Sequence, residues 1–353
     1  MTIQGKPRIT VSAHDLAAGQ GGICRVARLS VKALADVASV HALAVNDRVS
    51  HEIAGVHTIP FKGNRLRFIF ANGREVLGGR RILYDFPGTA RAHILGRWLG
   101  HGYAVWIHGY EMWERVRPDY IDVAMAADIV LVNSRYTLER TESCTGRIPQ
   151  ARICWLGTED DLPPPPTPAP EGPPMLLFVG RSDDLFGKGQ DLLIDCWPTV
   201  VSKVPDARLV FVGGGSELGR LKELAGRSSA RGNIDVLGFV PEQAMDRIWR
   251  SATVFAMLGR YEGFGLVFTE AMRYSVPVIA SIDDASSEIN VDGTTGFNVS
   301  RSDASGLVDR IVYLISNRDR AAEFGRAGHA HWQEHFRFSR FKARLQKSLS
   351  EWL

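Results

Sequence analysis

Two glutamates on either side of a glycine-rich turn are the residues best suited to chemistry. Glu262 and Glu270 are separated by seven residues, and the segment Gly263-Phe264-Gly265-Leu266 follows the first of them. Glycines let the backbone approach a ligand closely, and the helix N-terminus beyond them favours an anion. The two carboxylates can accept hydrogen bonds from hydroxyl groups. The pattern therefore indicates a site for a hydroxyl-rich anion, the alternative being a turn residue and a solvated helix residue.

Cations and a histidine follow two other apolar runs. Arg181 and Lys188 come after the run 175–180, where they are well placed to take developing phosphate charge. Solvated surface cations are the alternative interpretation for each. His108 ends the run 103–108, a position at which a lone histidine is often structural.

Short apolar runs alternate with amphipathic helical stretches along most of the chain, which predicts parallel sheets covered by helices. The predicted strands are 8–14, 81–86, 103–108, 129–133, 175–180, 208–213, 234–237, 254–257 and 278–280. The rhythm occurs twice, so we expect an α/β protein with two Rossmann-like, doubly wound domains facing each other across a cleft. Ligands of such sheets bind beyond the carboxyl ends of the strands.

Proline separates the two halves. Eight of the 17 prolines lie between positions 163 and 174. Such a segment is neither helix nor central strand and is typical of a semi-rigid connector. We predict domains at 1–160 and 175–334 with a linker at 161–174. Residues 330–353 have a helical pattern that the sequence alone assigns to neither domain.

Composition excludes several classes of protein. A net charge of +3 over 353 residues is too small to indicate nucleic-acid binding. The four cysteines lie far apart, which favours reduced thiols over a zinc site or a disulfide framework. The N-terminal residues lack the apolar core of a signal peptide, and no run approaches the ~18 apolar residues of a membrane span. We therefore expect a cytoplasmic protein.

The pattern E-G-F-G-x-x-x-x-E-A-M at 262–272 resembles the signature of retaining glycosyltransferase family 4, whose members have the GT-B fold. Five further segments agree with the family in the correct order. They are 19–22 (GQGG), 106–111 (WIHGYE), 180–189 (GR followed by KG), 211–215 (FVGGG) and 237–240 (LGFV). The first loop and the turn at 156–159 depart from the family pattern.

The resemblance implies roles for individual residues. Arg181 and Lys188 would hold the diphosphate of the donor, Glu270 the ribose hydroxyls, and Glu262 the hydroxyls of the transferred sugar. His108 would lie against that sugar and, with Arg181, Lys188 and Glu262, belongs to the predicted catalytic set. The remaining predicted donor-binding residues are Gly21, Gly22, Gly213, Val240, Gly263, Phe264, Gly265 and Leu266.

The resemblance further implies transfer of a hexose, with retention, from a UDP- or GDP-linked sugar to a saccharide or lipid-linked acceptor. The setting would be bacterial surface polysaccharide assembly, and the last helix, about 335–353, would pack back on the first domain. No D-x-D triplet is present, so we expect no metal and no other cofactor. Basic side chains and helix dipoles would neutralise the diphosphate instead.

Two surface features stay open. Segment 61–97 is rich in arginine and aromatic residues and either meets anionic lipid at the inner face of the membrane, holds an acceptor diphosphate, or is an ordinary solvated surface. Segment 110–115 supplies either an aromatic platform for an acceptor sugar or core packing. The arginines and lysine of segment 61–97 are Lys62, Arg65, Arg67, Arg74, Arg80, Arg81, Arg91 and Arg97, and the aromatic residues Phe61, Phe68, Phe70 and Trp98 lie nearby.

Two other classes of function compete with a transferase. A nicotinamide-dependent oxidoreductase would need G-x-G-x-x-G after the first strand, and Gly19, Gly21 and Gly22 do not fit that spacing. The other alternative is a nucleotide-sugar-binding protein without catalysis. The presence of four charged residues argues against it, namely Arg181, Lys188, Glu262 and Glu270.

Overall fold

The computed structural model describes residues 6–114, 116–164 and 172–353. Most of the predicted proline connector, residues 165–171, therefore lies outside the described residues. The chain divides into two compact units. Unit 1 contains residues 1–160 and 338–353, and unit 2 contains residues 161–337.

Unit 1 is built on a sheet of order β3-β4-β2-β1-β5-β6-β7-β8, parallel except for the antiparallel pair of β3 and β4. Its strands are β1 (Arg8–Ala13), β2 (Ser39–Ala44), β3 (Glu52–Ile53), β4 (Val56–Pro60), β5 (Arg81–Tyr84), β6 (Tyr103–Ile107), β7 (Ile129–Val132) and β8 (Ala151–Ile153). Its helices are α1 (Gly22–Leu34), α2 (Arg65–Leu77), α3 (Pro87–Ala90), α4 (Ile94–Leu99), α5 (Pro118–Met125), α6 (Arg135–Thr145) and, at the end of the chain, α15 (Phe338–Ser348).

Unit 2 is built on a wholly parallel sheet of order β11-β10-β9-β12-β13-β14. Its strands are β9 (Met175–Val179), β10 (Arg208–Val212), β11 (Ile234–Gly238), β12 (Val254–Met257), β13 (Val278–Ser281) and β14 (Gly296–Val299). Its helices are α7 (Leu185–Lys188), α8 (Gln190–Lys203), α9 (Leu218–Arg227), α10 (Glu242–Ser251), α11 (Leu266–Arg273), α12 (Ser286–Ile289), α13 (Ala304–Ser316) and α14 (Arg318–His335).

The central strands are apolar on both faces because helices cover both sides of each sheet. Every residue of β6, β7, β12 and β13 is buried. This continuous burial is characteristic of parallel sheets. In both units the strand order reverses at one point, between β1 and β5 in unit 1 and between β9 and β12 in unit 2. Loops that leave the sheet at such a reversal form the usual ligand site of doubly wound folds.

The predicted α/β fold class is confirmed, and each predicted strand is present within one to three residues of its predicted bounds. Strands β2, β3, β4, β8 and β14 were not predicted. β3, β8 and β14 are two to four residues long, and β2 and β4 include exposed residues, so the apolar pattern of all five is weak.

The continuous helix predicted for 330–353 is wrong in one respect. α14 ends at His335, Phe336 has a non-helical backbone, and α15 starts at Phe338. α15 packs against α1 within unit 1, whereas α14 belongs to unit 2. The buried residues of α15 are Phe341 and Leu345, followed by Leu349 and Trp352.

Two kinds of feature are absent from the described ranges. No helix there is long and apolar enough to cross a membrane. No group of three or more His, Cys, Asp or Glu side chains there is placed to hold a metal ion.

Candidate functional site

The reversal point of unit 2 brings Lys188 and Glu262 together. Lys188 ends α7 after β9, and Glu262 lies in the loop between β12 and α11. The Lys188 Nζ lies 3.6 Å from the Glu262 Oε2, and both side chains remain partly open to solvent. The two loops are also joined by backbone hydrogen bonds, from Leu258 N to Lys188 O and from Arg260 N to Gly187 O. A cation and a carboxylate are thus held side by side beyond the carboxyl ends of the central strands β9 and β12.

Glycines bring the loops after β9 and β10 into contact. Gly213 has a φ of 137°, and a Cβ added to it would lie 1.9 Å from the Gly180 carbonyl oxygen. The backbone N–H of Gly213 donates to Gly238 O, at the end of β11. Three consecutive loops are therefore packed backbone to backbone, and the donor-binding roles of Gly213 and Val240 stay predictions.

Arg181 lies beside the same loops, but its first partner is a neighbour in the chain. Its Nε lies 2.6 Å from Asp183 Oδ2, and the pair is largely exposed. Asp183 also accepts a hydrogen bond from Ser216 N at 2.8 Å. The Arg181 guanidinium, followed by the Ser216 amide, lowers the pKa of Asp183 below its ordinary value. Arg181 is therefore a cation oriented at the loop surface and partly neutralised by Asp183.

The glycine turn of the predicted signature leads directly into α11. Gly265 has a φ of 83°, and a Cβ there would lie 2.3 Å from the Phe268 ring. Phe264 is buried, Leu266 is the first residue of α11, and Glu270 lies half-buried one turn further on. The turn thus places the two glutamates at the start of one helix, with the amides of residues 263–265 between them.

Unit 1 holds His108 at the end of β6 through three hydrogen bonds. His108 N donates to Glu111 Oε1, and His108 O accepts from Asn133 Nδ2. The ring donates from Nε2 to the Asp85 backbone carbonyl at 2.7 Å. Burial lowers the pKa of His108, so the ring is neutral at pH 7. With its proton on Nε2, the ring presents Nδ1 as a hydrogen-bond acceptor.

Asp85 joins the His108 loop to the glycine-rich first loop. Its carboxylate accepts from His14 N at 2.7 Å and from Thr89 Oγ1 at 2.6 Å. Burial raises the pKa of Asp85 to about 7, against the effect of those two hydrogen bonds. The first loop ends at Gly21 and Gly22, where an added Cβ would meet nothing within 4 Å. The space beside the start of α1 is therefore open, and the role of these glycines in donor binding stays a prediction.

The aromatic residues after His108 have different environments. Trp113 is buried, and its indole N–H donates to Thr141 Oγ1. A Cβ on Gly109 would lie 2.5 Å from the Trp113 ring, so glycine is needed for this packing. Tyr110 is 58% exposed. Trp113 is therefore core packing that also borders a cavity of about 500 Å³ lined by Tyr136 and Arg140, and Tyr110 is the accessible ring.

Sequence reasoning missed two buried acids, Asp85 and Asp284. Each is the first or third residue after an apolar strand and is less than 3% exposed. A carboxylate within three residues of the end of a mostly apolar run was the signal available.

Comparison with known proteins agrees with this architecture. Residues 162–331 match the family described as Glycosyl transferases group 1. A GDP-mannose-dependent alpha-(1-6)-phosphatidylinositol monomannoside mannosyltransferase of Mycolicibacterium smegmatis is 30% identical over 71% of this chain and 68% of that protein. A monoacylated phosphatidylinositol monomannoside mannosyltransferase of Corynebacterium glutamicum, also GDP-mannose-dependent, is 30% identical over 65% of this chain. The chain spans 63% of the length of that second relative.

Two solved structures share the fold at low identity. Anabaena HepE, in complex with UDP and glucose, has a TM-score of 0.80 at 16% identity over 98% of this chain and 99% of that one. Sucrose-phosphate synthase of Thermosynechococcus elongatus has a TM-score of 0.80 at 20% identity over 98% of both chains. The two units thus define a GT-B fold. The chain belongs to the group 1 glycosyl transferases, which confirms the family predicted from the motifs.

Proposed function

We propose that this protein is a retaining hexosyltransferase that moves a sugar from a nucleoside diphosphate to an acceptor hydroxyl. The observation that carries the proposal is the Lys188–Glu262 pair, 3.6 Å apart at the strand-order reversal of unit 2. Lys188 and Arg181 hold the diphosphate, and Glu262 with the amides of residues 263–265 holds the sugar hydroxyls. Glu270 holds the ribose, His108 contacts the transferred sugar, and Gly21 and Gly22 leave room for the diphosphate.

The proposed reaction needs no separate protein base. The bond between the anomeric carbon and the phosphate oxygen breaks, and its electron pair goes to that oxygen. The acceptor oxygen forms its bond to the same face of the sugar and gives its proton to the departing phosphate. Arg181 and Lys188, rather than a metal ion, stabilise the charge that develops on the diphosphate. Neutral His108 can accept a hydrogen bond from a sugar hydroxyl through Nδ1.

The relatives narrow the range of donors and acceptors to be tested first. Both are GDP-mannose-dependent and act on mannosides of phosphatidylinositol. We propose GDP-mannose as the first donor to test, with UDP-linked hexoses as the alternative, and a lipid-linked saccharide as the acceptor.

The test is a donor panel followed by an acceptor assay. GDP-mannose, GDP, UDP-glucose and UDP should be compared by calorimetry, and the transfer product on a phosphatidylinositol mannoside examined by NMR. We expect one nucleotide series to bind at least ten-fold more tightly and the new glycosidic bond to keep the α configuration. A β-linked product would contradict retention. Binding without transfer to any acceptor would favour the non-catalytic alternative.

We further propose that unit 1 meets an anionic membrane surface through an exposed apolar face. α2 and α4 pack on each other, and both carry apolar side chains that face solvent. Trp98 is 88% exposed and Phe70 71%. The other members of this α2–α4 face are Leu66, Leu77, Ile94 and Leu99, with exposed arginines Arg65, Arg67, Arg74 and Arg97 among them. Apolar rings among arginines suit an anionic lipid surface.

The structure corrects two members of the predicted basic, aromatic surface. Phe68 is buried against Leu43, Val45 and Ala92. Arg80 is also buried, and its guanidinium pairs with Glu75 at 3.1 Å. Both residues lie on the sheet side of the segment and cannot contact lipid.

We expect the Arg67→Ala/Arg74→Ala variant to bind vesicles of phosphatidylglycerol about thirty-fold more weakly than wild type. Each arginine near an anionic surface contributes about 1 kcal/mol. Vesicle flotation at 0.05 and 0.5 M NaCl measures the effect, and high salt should abolish the difference. Met125→Ala, at an exposed apolar position outside the α2–α4 face, is the control and should bind like wild type. Equal binding of all three proteins would contradict membrane docking through this face.

A further inference from the structure

Asp284 is a buried acid beneath the proposed donor site. It follows β13 in the turn that leads to α12 and is 1% exposed. One carboxylate oxygen, Oδ1, accepts from both the hydroxyl and the backbone N–H of Ser286, at 2.5 and 2.9 Å. Nothing in the proposed transfer chemistry uses this carboxyl group.

The other oxygen of Asp284 points at the loop that carries Glu262. A Cβ added to Gly259 would lie 2.2 Å from Asp284 Oδ2 and 3.3 Å from the Glu262 Cβ. Asp284 Oδ2 has no hydrogen-bond partner among the described residues. The next residue, Ala285, donates its backbone N–H to the Glu262 carbonyl at 3.1 Å. The Asp284 turn is therefore fastened to the peptide of Glu262, and its carboxyl group fills the space under that loop.

The charges around Asp284 make its ionisation costly. Burial is the main reason that the pKa of Asp284 is raised to about 7. The hydrogen bonds from Ser286 lower it, the Glu262 charge raises it, and the Glu262 backbone lowers it by a smaller amount. The Asp284 charge acts on the neighbouring Arg301. The other charged side chains that act on Arg301 are Asp191, Arg260 and Asp283. Arg301 follows β14 and donates to the Leu258 carbonyl in the same loop, and it is a cation on which the Asp284 charge acts. An ionised Oδ2 without a partner is costly in such a site.

We propose that Asp284 is a positioning residue that supports the Glu262 loop in its protonated form, and that loss of this proton weakens binding of the nucleotide sugar. The inference rests on the proposed function, in which the Lys188–Glu262 pair binds the donor. An ionised Asp284 adds a second negative charge next to Glu262, where an anionic donor must bind. Ionisation also leaves a buried charge, which water can reach only if the Gly259–Glu262 loop moves.

Asp284→Asn tests the proposal because asparagine keeps the shape of the protonated acid and an acceptor for Ser286. The dissociation constants of GDP-mannose and UDP-glucose, whose diphosphates do not titrate near neutrality, should be measured between pH 6 and 8.5. For the sugar nucleotide that binds, we expect the wild-type constant to rise about five- to ten-fold over this range. The constant for Asp284→Asn should stay level. Asp283→Asn, at the exposed neighbouring position, should follow wild type.

A second measurement without ligand separates positioning from fold integrity. The folded-state pKa of Asp284 lies above its unfolded value of about 3.8, so the wild type loses stability as pH rises from 4 to 7. The stability advantage of Asp284→Asn should therefore grow over this interval and level off above it. If wild type binds a nucleotide sugar but the dissociation constant of Asp284→Asn changes with pH as much as that of wild type, the inference about Asp284 is overturned and the proposed function is not. If wild type binds neither sugar nucleotide at any pH, the proposed function fails and the inference with it.

Discussion

Replacing Lys188 with alanine is expected to lower kcat/KM for sugar transfer by about a hundred- to a thousand-fold, with the fold intact. A preorganised cation at a leaving group contributes about 3–4 kcal/mol to transition-state stabilisation. The change also leaves the Glu262 carboxylate, 3.6 Å from the lost ammonium, without that counter-charge beside an anionic donor. Steady-state kinetics with saturating acceptor measures the effect, and circular dichroism checks the fold.

Lys203 provides a matched control for this variant. It lies in the same unit and pairs with a carboxylate, Asp309, at 3.1 Å, but on the exposed surface of α8. Lys203→Ala should transfer sugar at the wild-type rate, because an exposed ion pair contributes little to stability. Near wild-type transfer by Lys188→Ala would exclude this lysine from the proposed diphosphate site.

Replacing Phe341 with alanine is expected to lower the free energy of unfolding of unit 1 by about 3–5 kcal/mol. Phe341 is fully buried on α15, and its ring stacks against Trp106 at 6.4 Å between centroids. Trp106 stacks in turn against His108 at 5.9 Å. The substitution therefore leaves a cavity behind the strand that carries His108. Urea unfolding followed by tryptophan fluorescence measures the loss.

Phe70→Ala is the control for this measurement, since it removes the same ring from an exposed position in the same unit. Its free energy of unfolding should stay within about 0.5 kcal/mol of wild type. A similar small effect for Phe341→Ala would mean that α15 does not support the core of unit 1.

The parts of the fold that were predicted from sequence have strong local signals. The runs at β6, β7 and β12 are wholly apolar, and β13 is apolar up to Ser281, because both faces of the sheet are covered. Their bounds differ little from the prediction. The glycine turn before α11 was visible because only glycine tolerates the φ of 83° at Gly265 beside the Phe268 ring.

The parts that could not be predicted depend on contacts between distant residues. Phe68 is buried and Phe70 exposed, although both belong to the same apolar, basic segment, because the sheet lies on one side of α2. Arg80 is interior because Glu75 and the Ile9 and Ser39 carbonyls accept its hydrogen bonds. The helix breaks at Phe336 although no proline or glycine stands there. The break lies where the chain passes from unit 2 to unit 1.

The candidate site divides in the same way. Arg181, Lys188 and Glu262 were named from sequence, and the structure places Lys188 and Glu262 side by side. The support from Asp85 and Asp284 was not foreseen, because burial and backbone partners decide what an acidic residue does. Neither property can be read from the residue type.

The discontinuity of unit 1 bears on how the protein is made. Unit 2 is a single stretch of chain, so all its strands and helices are available once residue 337 has left the ribosome. Unit 1 lacks its last helix until residues 338–353 have followed, and until then the face of α1 that α15 covers has no partner from that segment. Unit 1, which carries His108, can therefore be completed only after all of unit 2 has been synthesised. In a cell, a stalled or truncated chain would have an assembled unit 2 beside an unfinished neighbour exposed to chaperones and proteases.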